Sequence, residues 1–316
     1  MSSELNKIFP AKLKERLKEH DFVREGFTEL RFRADGPVVF LRGNEEWFLH
    51  KNGSMERSQH FPAQEQYRMP VNEIREMMEY ISNFSIYAYE EELRQGFLTL
   101  QGGHRVGVCG KAVLAEGRIK TIRNISFLNV RIAREKKGCA MQVMPFLYED
   151  GRLCHTVIIS PPGCGKTTLL RDVIRLVSDG NGQNPGQKVG VVDERSELAA
   201  CYHGVPQNDL GIRTDVLDGC PKAVGMELLL RAMSPQVIAV DELGGNADME
   251  MVEKSIYCGC TVLATVHGES MENWFVKGGM EKRIGDSMFE RYVFLKDKKY
   301  PGTIEAVCNR SGERIC

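Results

Sequence analysis

The spacing of hydrophobic and polar positions in the first half of the chain is that of short strands and one helix. Residues 29–49 hold three short segments, each of which is either apolar or alternates between polar and apolar residues. Turn residues separate these segments. Strand patterns return at 95–100 and 127–133, and the Gly-rich segment 102–110 between them predicts a tight hairpin. Residues 71–84 carry apolar positions at helical spacing. This half therefore predicts a helix and a small antiparallel sheet.

From Cys154 onward, short apolar runs alternate with helical stretches. The runs are 156–159, 188–192, 237–240 and 261–265, and the helical stretches are 169–177, 222–233 and 249–257. Continuous apolar runs separated by helices are typical of a parallel sheet that is covered by helices. Residues 292–295 and 304–307 predict a terminal hairpin. Together the two patterns predict a smaller α+β domain over residues 1–145 and an α/β domain over residues 146–316.

The loop between the first apolar run and the first helix of the second domain has the features of a phosphate-binding loop. Gly163 and Gly165 allow the backbone N–H groups to point at an anion, and the helix N-terminus adds its positive dipole end. Lys166 would reach the β- and γ-phosphates, and the Thr167 hydroxyl would bind Mg²⁺. Ser160 stands where the usual pattern has its first Gly. The predicted nucleotide-binding residues are Ser160, Pro161, Pro162, Gly163, Cys164, Gly165, Lys166, Thr167 and Thr168.

Acidic residues follow the second and third apolar runs. Asp193, Glu194 and Glu197 come at the end of one run, and Asp241 and Glu242 at the end of the next. Ligands bind at the carboxyl ends of strands in open parallel sheets. Asp241 would hold Mg²⁺, and Glu242 would orient or deprotonate the attacking water. For the first group, a solvated helix start is the alternative, since acidic residues favour the first turn of a helix.

The fourth apolar run ends at His267. In this order of segments, we expect His267 to sense the γ-phosphate or the state of a neighbouring subunit. An ordinary loop histidine is the alternative.

Composition adds limits on the class of protein. The net charge is -1, and aromatic residues make up 8% of the chain, which argues against a broad nucleic-acid-binding surface. Neither a signal-peptide pattern nor an apolar run of membrane-spanning length occurs in the sequence. The ten cysteines, one of them in the phosphate loop, favour a reducing compartment. The sequence therefore predicts a cytoplasmic protein, for which docking on a membrane through a partner stays open.

The order of these segments resembles the secretion and traffic ATPases of type II and type IV systems, including pilus-retraction motors. Asp193, Glu194 and Glu197 match the aspartate box of that family, Glu242 matches its Walker B glutamate, and His267 matches its histidine box. The resemblance is good over residues 154–268 and loose over the first half. It implies a RecA-like P-loop ATPase domain, ATP and Mg²⁺ as cofactors, and a homo-hexameric ring.

Three features depart from that family. Asp241 occupies a position where the family usually has Gly, so this Walker B segment is closer to the conventional one. Gly259 and Cys260 stand where the family often has Gly-His. The zinc-binding cysteine module of some members is absent.

A narrower resemblance covers nearly the whole chain. Residues 159–172, 192–197 and 201–219 are similar to the sporulation stage III AA family of endospore-forming bacteria. It implies a mother-cell ATPase that docks on membrane channel proteins between mother cell and forespore, as part of a sporulation secretion complex.

In the ring-forming motors of the resembled family, the N-terminal domain supplies arginines to the nucleotide of another subunit or of its own chain, where they stabilise the transferring phosphoryl group. Arg105, Arg123 and Arg131 are candidates, because they lie in strand-like segments before the motor domain. Surface or core-capping arginine is the alternative for each. Arg195 is a further candidate, although its neighbours suggest an ion pair.

Two other classes of function stay open at this point. RecA-like cores also serve nucleic-acid-stimulated ATPases, and salt-sensitive stimulation by single-stranded DNA or RNA would favour that function. A nucleotide-dependent scaffold would bind ATP without turnover, but the intact Glu242 argues against it.

Overall fold

The computed structural model describes residues 3–57, 64–268, 288–296 and 299–316. The chain divides into two compact units, Met1–Arg134 and Glu135–Cys316. Ala140 and Val143 are buried in the core of the second unit. The boundary expected from the sequence, after residue 145, therefore lies within the second unit. Among the described residues, no helix combines the length and the apolar character that crossing a membrane requires.

The first unit is an antiparallel sheet with helices. Its helices are α1 (Ser3–Asn6), α2 (Ala11–Leu17), α3 (Val71–Ile81) and α4 (Glu90–Gln95). Its strands are β1 (Glu29–Arg33), β2 (Val39–Arg42), β3 (Glu45–Leu49), β4 (Met55–Glu56), β5 (Phe97–Thr99), β6 (Arg105–Ala115) and β7 (Arg118–Arg131). In the described ranges they form a seven-stranded sheet in the order β4-β3-β2-β1-β7-β6-β5. The alternation along β1 buries Leu30 and Phe32 in the core of this unit.

The longest hairpin of this sheet is one that the sequence analysis missed. β6 and β7 pair from Arg105 opposite Arg131 to Ala115 opposite Arg118. Residues beyond Val108 on β6 are mostly exposed, so this part of the hairpin lacks the buried alternation that identifies a strand from sequence. The hairpin predicted at 102–110 is in fact the turn between β5 and β6 followed by the start of this long strand.

The second unit is a mixed sheet with helices packed against it. Its strands are β8 (Tyr148–Glu149), β9 (Arg152–Leu153), β10 (Thr156–Ser160), β11 (Val189–Asp193), β12 (Thr214–Asp218), β13 (Val237–Val240), β14 (Thr261–His267), β15 (Arg291–Leu295) and β16 (Ile304–Asn309). Its helices are α5 (Lys166–Asp179), α6 (Lys222–Ala232) and α7 (Asn246–Tyr257). In the described ranges, seven strands form one sheet in the order β12-β11-β13-β14-β10-β15-β16.

The strands that precede the candidate site residues are parallel and fully buried. β10 lies between β14 and β15 and runs parallel to both. β11 and β13 are also parallel, and every residue of β10, β11 and β13 is buried. The apolar runs seen in the sequence reflect this burial on both faces. β15 and β16 form the expected terminal hairpin. The edge strand β12 was missed, because it is only partly buried.

Gly110 lies at a bulge of the β6–β7 hairpin, where the backbones of the two strands approach each other closely. A Cβ at this position would lie 2.6 Å from the carbonyl oxygen of Arg123 and 2.8 Å from that of Asn124. We expect Gly110→Ala to destabilise the protein by about 1–3 kcal/mol, because backbone atoms cannot move away cheaply. Gly107→Ala on the same strand is the matched control, since its Cβ would meet Asn129 at 3.8 Å. Urea unfolding followed by circular dichroism measures both, and equal midpoints for the two variants would contradict the expectation.

Candidate functional site

The predicted site residues of the second unit converge at one edge of its sheet. β10 ends at Ser160, which pairs with His267 at the end of β14. β11 and β13 end next to each other, with Val192 paired to Val240 just before the acidic groups. The carboxyl ends of parallel strands meet at one edge, which is where open α/β sheets bind ligands.

The loop between β10 and α5 has glycines where its backbone turns. Gly163 and Gly165 have φ angles of 80° and 96°, in the left-handed region that favours glycine. Gly165 is the residue before the first turn of α5. Ser160 is the last residue of β10 and is buried, so the first position of the loop is extended strand. A serine therefore fits there without the conformational freedom of glycine.

The ammonium group of Lys166 is held at the centre of this edge. It donates to the carbonyl oxygens of Ser160 at 2.8 Å and Pro161 at 3.2 Å, and it lies 3.1 Å from Nδ1 of His267. Lys166 is 5% exposed. Burial lowers the pKa of Lys166, and the nearby carboxylates of Asp241 and Glu242 oppose that shift. A buried cation with only carbonyl and imidazole partners is suited to bind an anion.

Asp241 connects the start of α5 with the end of β14. Thr167 donates its hydroxyl hydrogen to Oδ2 of Asp241 at 2.7 Å, and the Thr265 hydroxyl donates to Oδ1. Burial raises the pKa of Asp241, and the two threonine hydrogen bonds oppose the shift. The carboxylate of Glu197 is close enough to raise the pKa further. The Thr167 and Asp241 oxygens thus lie side by side in a place where a cation would compensate the buried charge.

Glu242 has an unusual backbone conformation. Its φ is 55°, a left-handed value that is uncommon for a residue with a side chain. Its N–H donates to Oγ1 of Thr265 at 2.9 Å, and the next N–H, that of Leu243, donates to the Thr265 carbonyl at 2.9 Å. These bonds fix the turn after β13. Backbone strain of this kind is concentrated at functional sites.

The side chain of Glu242 has a partner at each carboxylate oxygen. Nε2 of His267 lies 2.8 Å from Oε1, and Arg195 forms an ion pair with Oε2. Since the Lys166 ammonium can only donate, Nδ1 of His267 accepts from it and Nε2–H donates to Glu242. His267 therefore connects the lysine of the loop to the glutamate after β13. The sequence neighbours of Arg195 suggested an ion pair, and in the structure its partner is Glu242, 47 residues further along the chain.

Asp193 organises the loop after β11. Its Oδ1 accepts the N–H of Glu197 and its Oδ2 that of Ala199, both at 2.8 Å. The side chain is 1% exposed, and burial raises its pKa to about 6, although these N–H groups favour the ionised form. Asp193 thus holds the backbone of this loop in place.

Glu194 and Glu197, which follow Asp193, have different surroundings. Glu194 forms an ion pair with Lys222, at the start of α6. The carbonyl oxygen of Glu197 accepts a hydrogen bond of 2.6 Å from Arg171. Neither Lys222 nor Arg171 was singled out from the sequence, because nothing in its local pattern relates a helix residue to an acidic loop far away in the chain.

The three candidate arginine fingers lie in the first unit. Arg105 and Arg131 are directly opposite each other on β6 and β7, and the Arg105 guanidinium stacks 3.8 Å from the centroid of the Phe97 ring. Arg123 is exposed and pairs with Lys111 further along the hairpin. The structure thus brings Arg105 and Arg131 together and places Arg123 apart from them.

The raised pKa of Asp193 predicts a change of stability with pH. The folded protein binds this proton more tightly than the unfolded chain, so the contribution of Asp193 increases as pH falls through 6 and is lost above it. Between pH 7.5 and pH 5, the wild type should gain about 1 kcal/mol in unfolding free energy relative to Asp193→Asn. At pH 7.5 the variant should be destabilised by about 1–3 kcal/mol, because its amide cannot accept all the N–H groups.

Urea unfolding at the two pH values measures this difference. Asp215→Asn, an exposed position on β12, is the matched control. Its unfolding free energy relative to the wild type should be the same at the two pH values. A difference in unfolding free energy between the wild type and Asp193→Asn that stays constant across this pH range would contradict the raised pKa of Asp193.

Comparison with solved structures identifies the fold. The ATPase DotB of Legionella pneumophila superimposes with a TM-score of 0.55 at 15% identity, over 93% of this chain and 78% of that one. The pilus retraction motor PilT with bound ADP gives a TM-score of 0.54 at 14% identity, over 89% and 77%. At this level of identity the likeness concerns the fold alone. It confirms the predicted class, a RecA-like P-loop α/β fold with a smaller α+β domain.

Sequence comparison gives the family. Stage III sporulation protein AA of Bacillus subtilis (strain 168) is 36% identical over 313 residues, which cover 98% of this chain and 96% of that protein. The family model described as sporulation stage III, protein AA matches residues 1–315. The chain belongs to the sporulation stage III protein AA family.

Proposed function

We propose that the second unit binds ATP with Mg²⁺ and hydrolyses the bond to the γ-phosphate. The observation that carries this proposal is the chain of contacts from Lys166 through His267 to Glu242, at the edge where the phosphate loop begins α5. In it, a buried cation that would bind phosphate and a carboxylate that would act on water belong to one hydrogen-bonded unit. ATP as the nucleotide is suggested by the resemblance to secretion ATPases, since the site residues described above do not read a base.

The residues present fit Mg²⁺. This ion prefers one or two carboxylates together with phosphate oxygens and water, and Thr167 and Asp241 offer adjacent oxygens. Their environment also fits, because a divalent cation would compensate the buried charge of Asp241. Bound there, Mg²⁺ would neutralise charge on the β- and γ-phosphates.

The protein groups would act in a defined order. Lys166 would leave the carbonyl oxygens of Ser160 and Pro161 for phosphate oxygens. His267 Nδ1 would then lose its donor, so the imidazole could report the presence of the γ-phosphate to Glu242. Glu242 would orient or deprotonate the attacking water once the ion pair between Arg195 and Oε2 of Glu242 opens. Asp193, Glu194 and Glu197 would hold the acidic loop beside this water.

The family supports a proposal for the wider role. We propose that the protein forms a homo-hexameric ring in which an arginine of the first unit, Arg105, Arg123 or Arg131, completes the nucleotide site. ATP hydrolysis would rotate the first unit against the second, a rigid-body switch. The ring would sit in the cytoplasm on membrane channel proteins and power or assemble transport between mother cell and forespore. The resemblance to sporulation and secretion proteins supports this role.

Loss of the lysine or the glutamate should separate binding from chemistry. We expect Lys166→Ala to lose nucleotide binding and turnover, and Glu242→Gln to keep binding while phosphate release falls about 100-fold or more. Lys254→Ala and Glu253→Gln on the exposed face of α7 are the matched controls and should equal the wild type. Phosphate release and calorimetric binding measure these effects. A wild type that binds ATP but matches Glu242→Gln in turnover, even with membranes from sporulating cells, would indicate a nucleotide-dependent scaffold.

A finger supplied by a neighbouring subunit should allow complementation. Single alanine variants of Arg105, Arg123 and Arg131 are each mixed with Lys166→Ala, which keeps every arginine but lacks the phosphate-binding lysine. For the true finger, the variant alone should lose about a hundredfold or more in turnover, and the mixture should regain part of it. Turnover per subunit of the wild type should rise with protein concentration. Concentration-independent turnover and no recovery in any mixture would contradict the ring.

A further inference from the structure

Residues 300–303, which precede β16, pack directly on the loop between β10 and α5. The N–H of Gly302 donates to the carbonyl oxygen of Cys164 at 2.7 Å. A Cβ on Gly165 would lie only 2.8 Å from the Gly302 nitrogen, so the two backbones touch at this glycine. β15 is parallel to β10 and next to it, so the segments that follow the two strands leave the sheet at the same edge.

Residues 300–303 present an aromatic ring in a fixed turn. Tyr300, Pro301, Gly302 and Thr303 form the turn, with Thr303 N–H donating to the Tyr300 carbonyl at 3.1 Å and a φ of 76° at Gly302. Pro followed by a glycine with positive φ is typical of a type II turn. Tyr300 is 51% exposed, and Nζ of Lys299 lies 5.5 Å from the centroid of its ring. The chain therefore keeps a half-exposed ring and a cation beside the phosphate loop.

The order of the strands gives a direction to a bound nucleotide. The groups that would face the γ-phosphate lie on one side of β10: Asp241 and Glu242 follow β13, and His267 ends β14. The loop with Tyr300 follows β15, on the other side of β10. A nucleotide whose γ-phosphate lies towards β14 has its nucleoside end towards β15.

We propose that Tyr300 is a base-stacking residue, which binds the nucleobase of the nucleotide held by the phosphate loop. The proposal rests on nucleotide binding as the proposed function and adds the subsite for the nucleoside end. Stacking on an aromatic ring accepts every base, since each has a π-face, so Tyr300 gives affinity without choosing between adenine and guanine. Lys299 adds a positive charge at the same subsite.

ADP and inorganic pyrophosphate, both with Mg²⁺, distinguish a base contact from support of the phosphate loop. Tyr300→Ala should weaken ADP binding about 5- to 150-fold, the loss typical of a removed stacking ring, and leave pyrophosphate binding unchanged. Tyr300→Phe keeps the ring and should bind ADP within about twofold of the wild type. GDP should lose affinity to a similar extent as ADP in Tyr300→Ala.

Tyr257→Ala is the matched control. This tyrosine is 82% exposed and ends α7, before β14 begins, so it lies at the opposite edge of the sheet. It should bind ADP as the wild type does. Isothermal titration calorimetry measures each dissociation constant.

Two results would overturn the base contact. The first is wild-type ADP affinity in Tyr300→Ala. The second is an equal loss for ADP and pyrophosphate, which would make the loop a support for the phosphate loop alone. If the wild type and Lys166→Ala both fail to bind ADP and pyrophosphate, nucleotide binding itself fails, and this inference with it.

Discussion

The buried carboxylate of Asp241 is the constraint on which the site depends. Its two oxygens accept hydrogen bonds from Thr167 at the start of α5 and from Thr265 near the end of β14. Thr265 in turn accepts the N–H of Glu242. One charge that is costly to bury thus fixes the helix, the strand and the strained turn relative to one another. The same burial raises the pKa of Asp241 and makes a cation favourable beside it.

A second level of organisation connects charges across the edge of the sheet. Lys166 contacts His267, His267 contacts Glu242, and Glu242 also pairs with Arg195. Each contact joins residues from different strands or loops. A shift of the Lys166 ammonium group therefore changes the surroundings of the Glu242 carboxylate through His267. The half-exposed Arg195 contact is the weakest part, because solvent screens an exposed ion pair. Under the proposed function, it is the contact that would yield most easily when a nucleotide binds.

Much of the second unit could be predicted from its sequence. The buried strands β10, β11, β13 and β14 were identified because parallel strands buried on both faces read as continuous apolar runs. The long hairpin β6–β7 and the edge strand β12 were missed, because exposed strands carry no such pattern. The loop between β10 and α5 was singled out as a phosphate loop because its glycines, lysine and threonine are adjacent in the chain.

The sequence by itself determined the local pattern: a loop with the residues typical of a phosphate-binding loop, and acidic residues and a histidine at the ends of apolar runs. Because the carboxyl ends of parallel strands meet at one edge, it also predicted that these groups lie together. Only the tertiary structure decided the partners, such as Thr265 for Asp241, Arg195 for Glu242 and Lys222 for Glu194. It also decided that the turn with Tyr300 packs on the phosphate loop. Periodicity is a property of neighbours along the chain, whereas these contacts depend on strand order and register, which bring distant segments together.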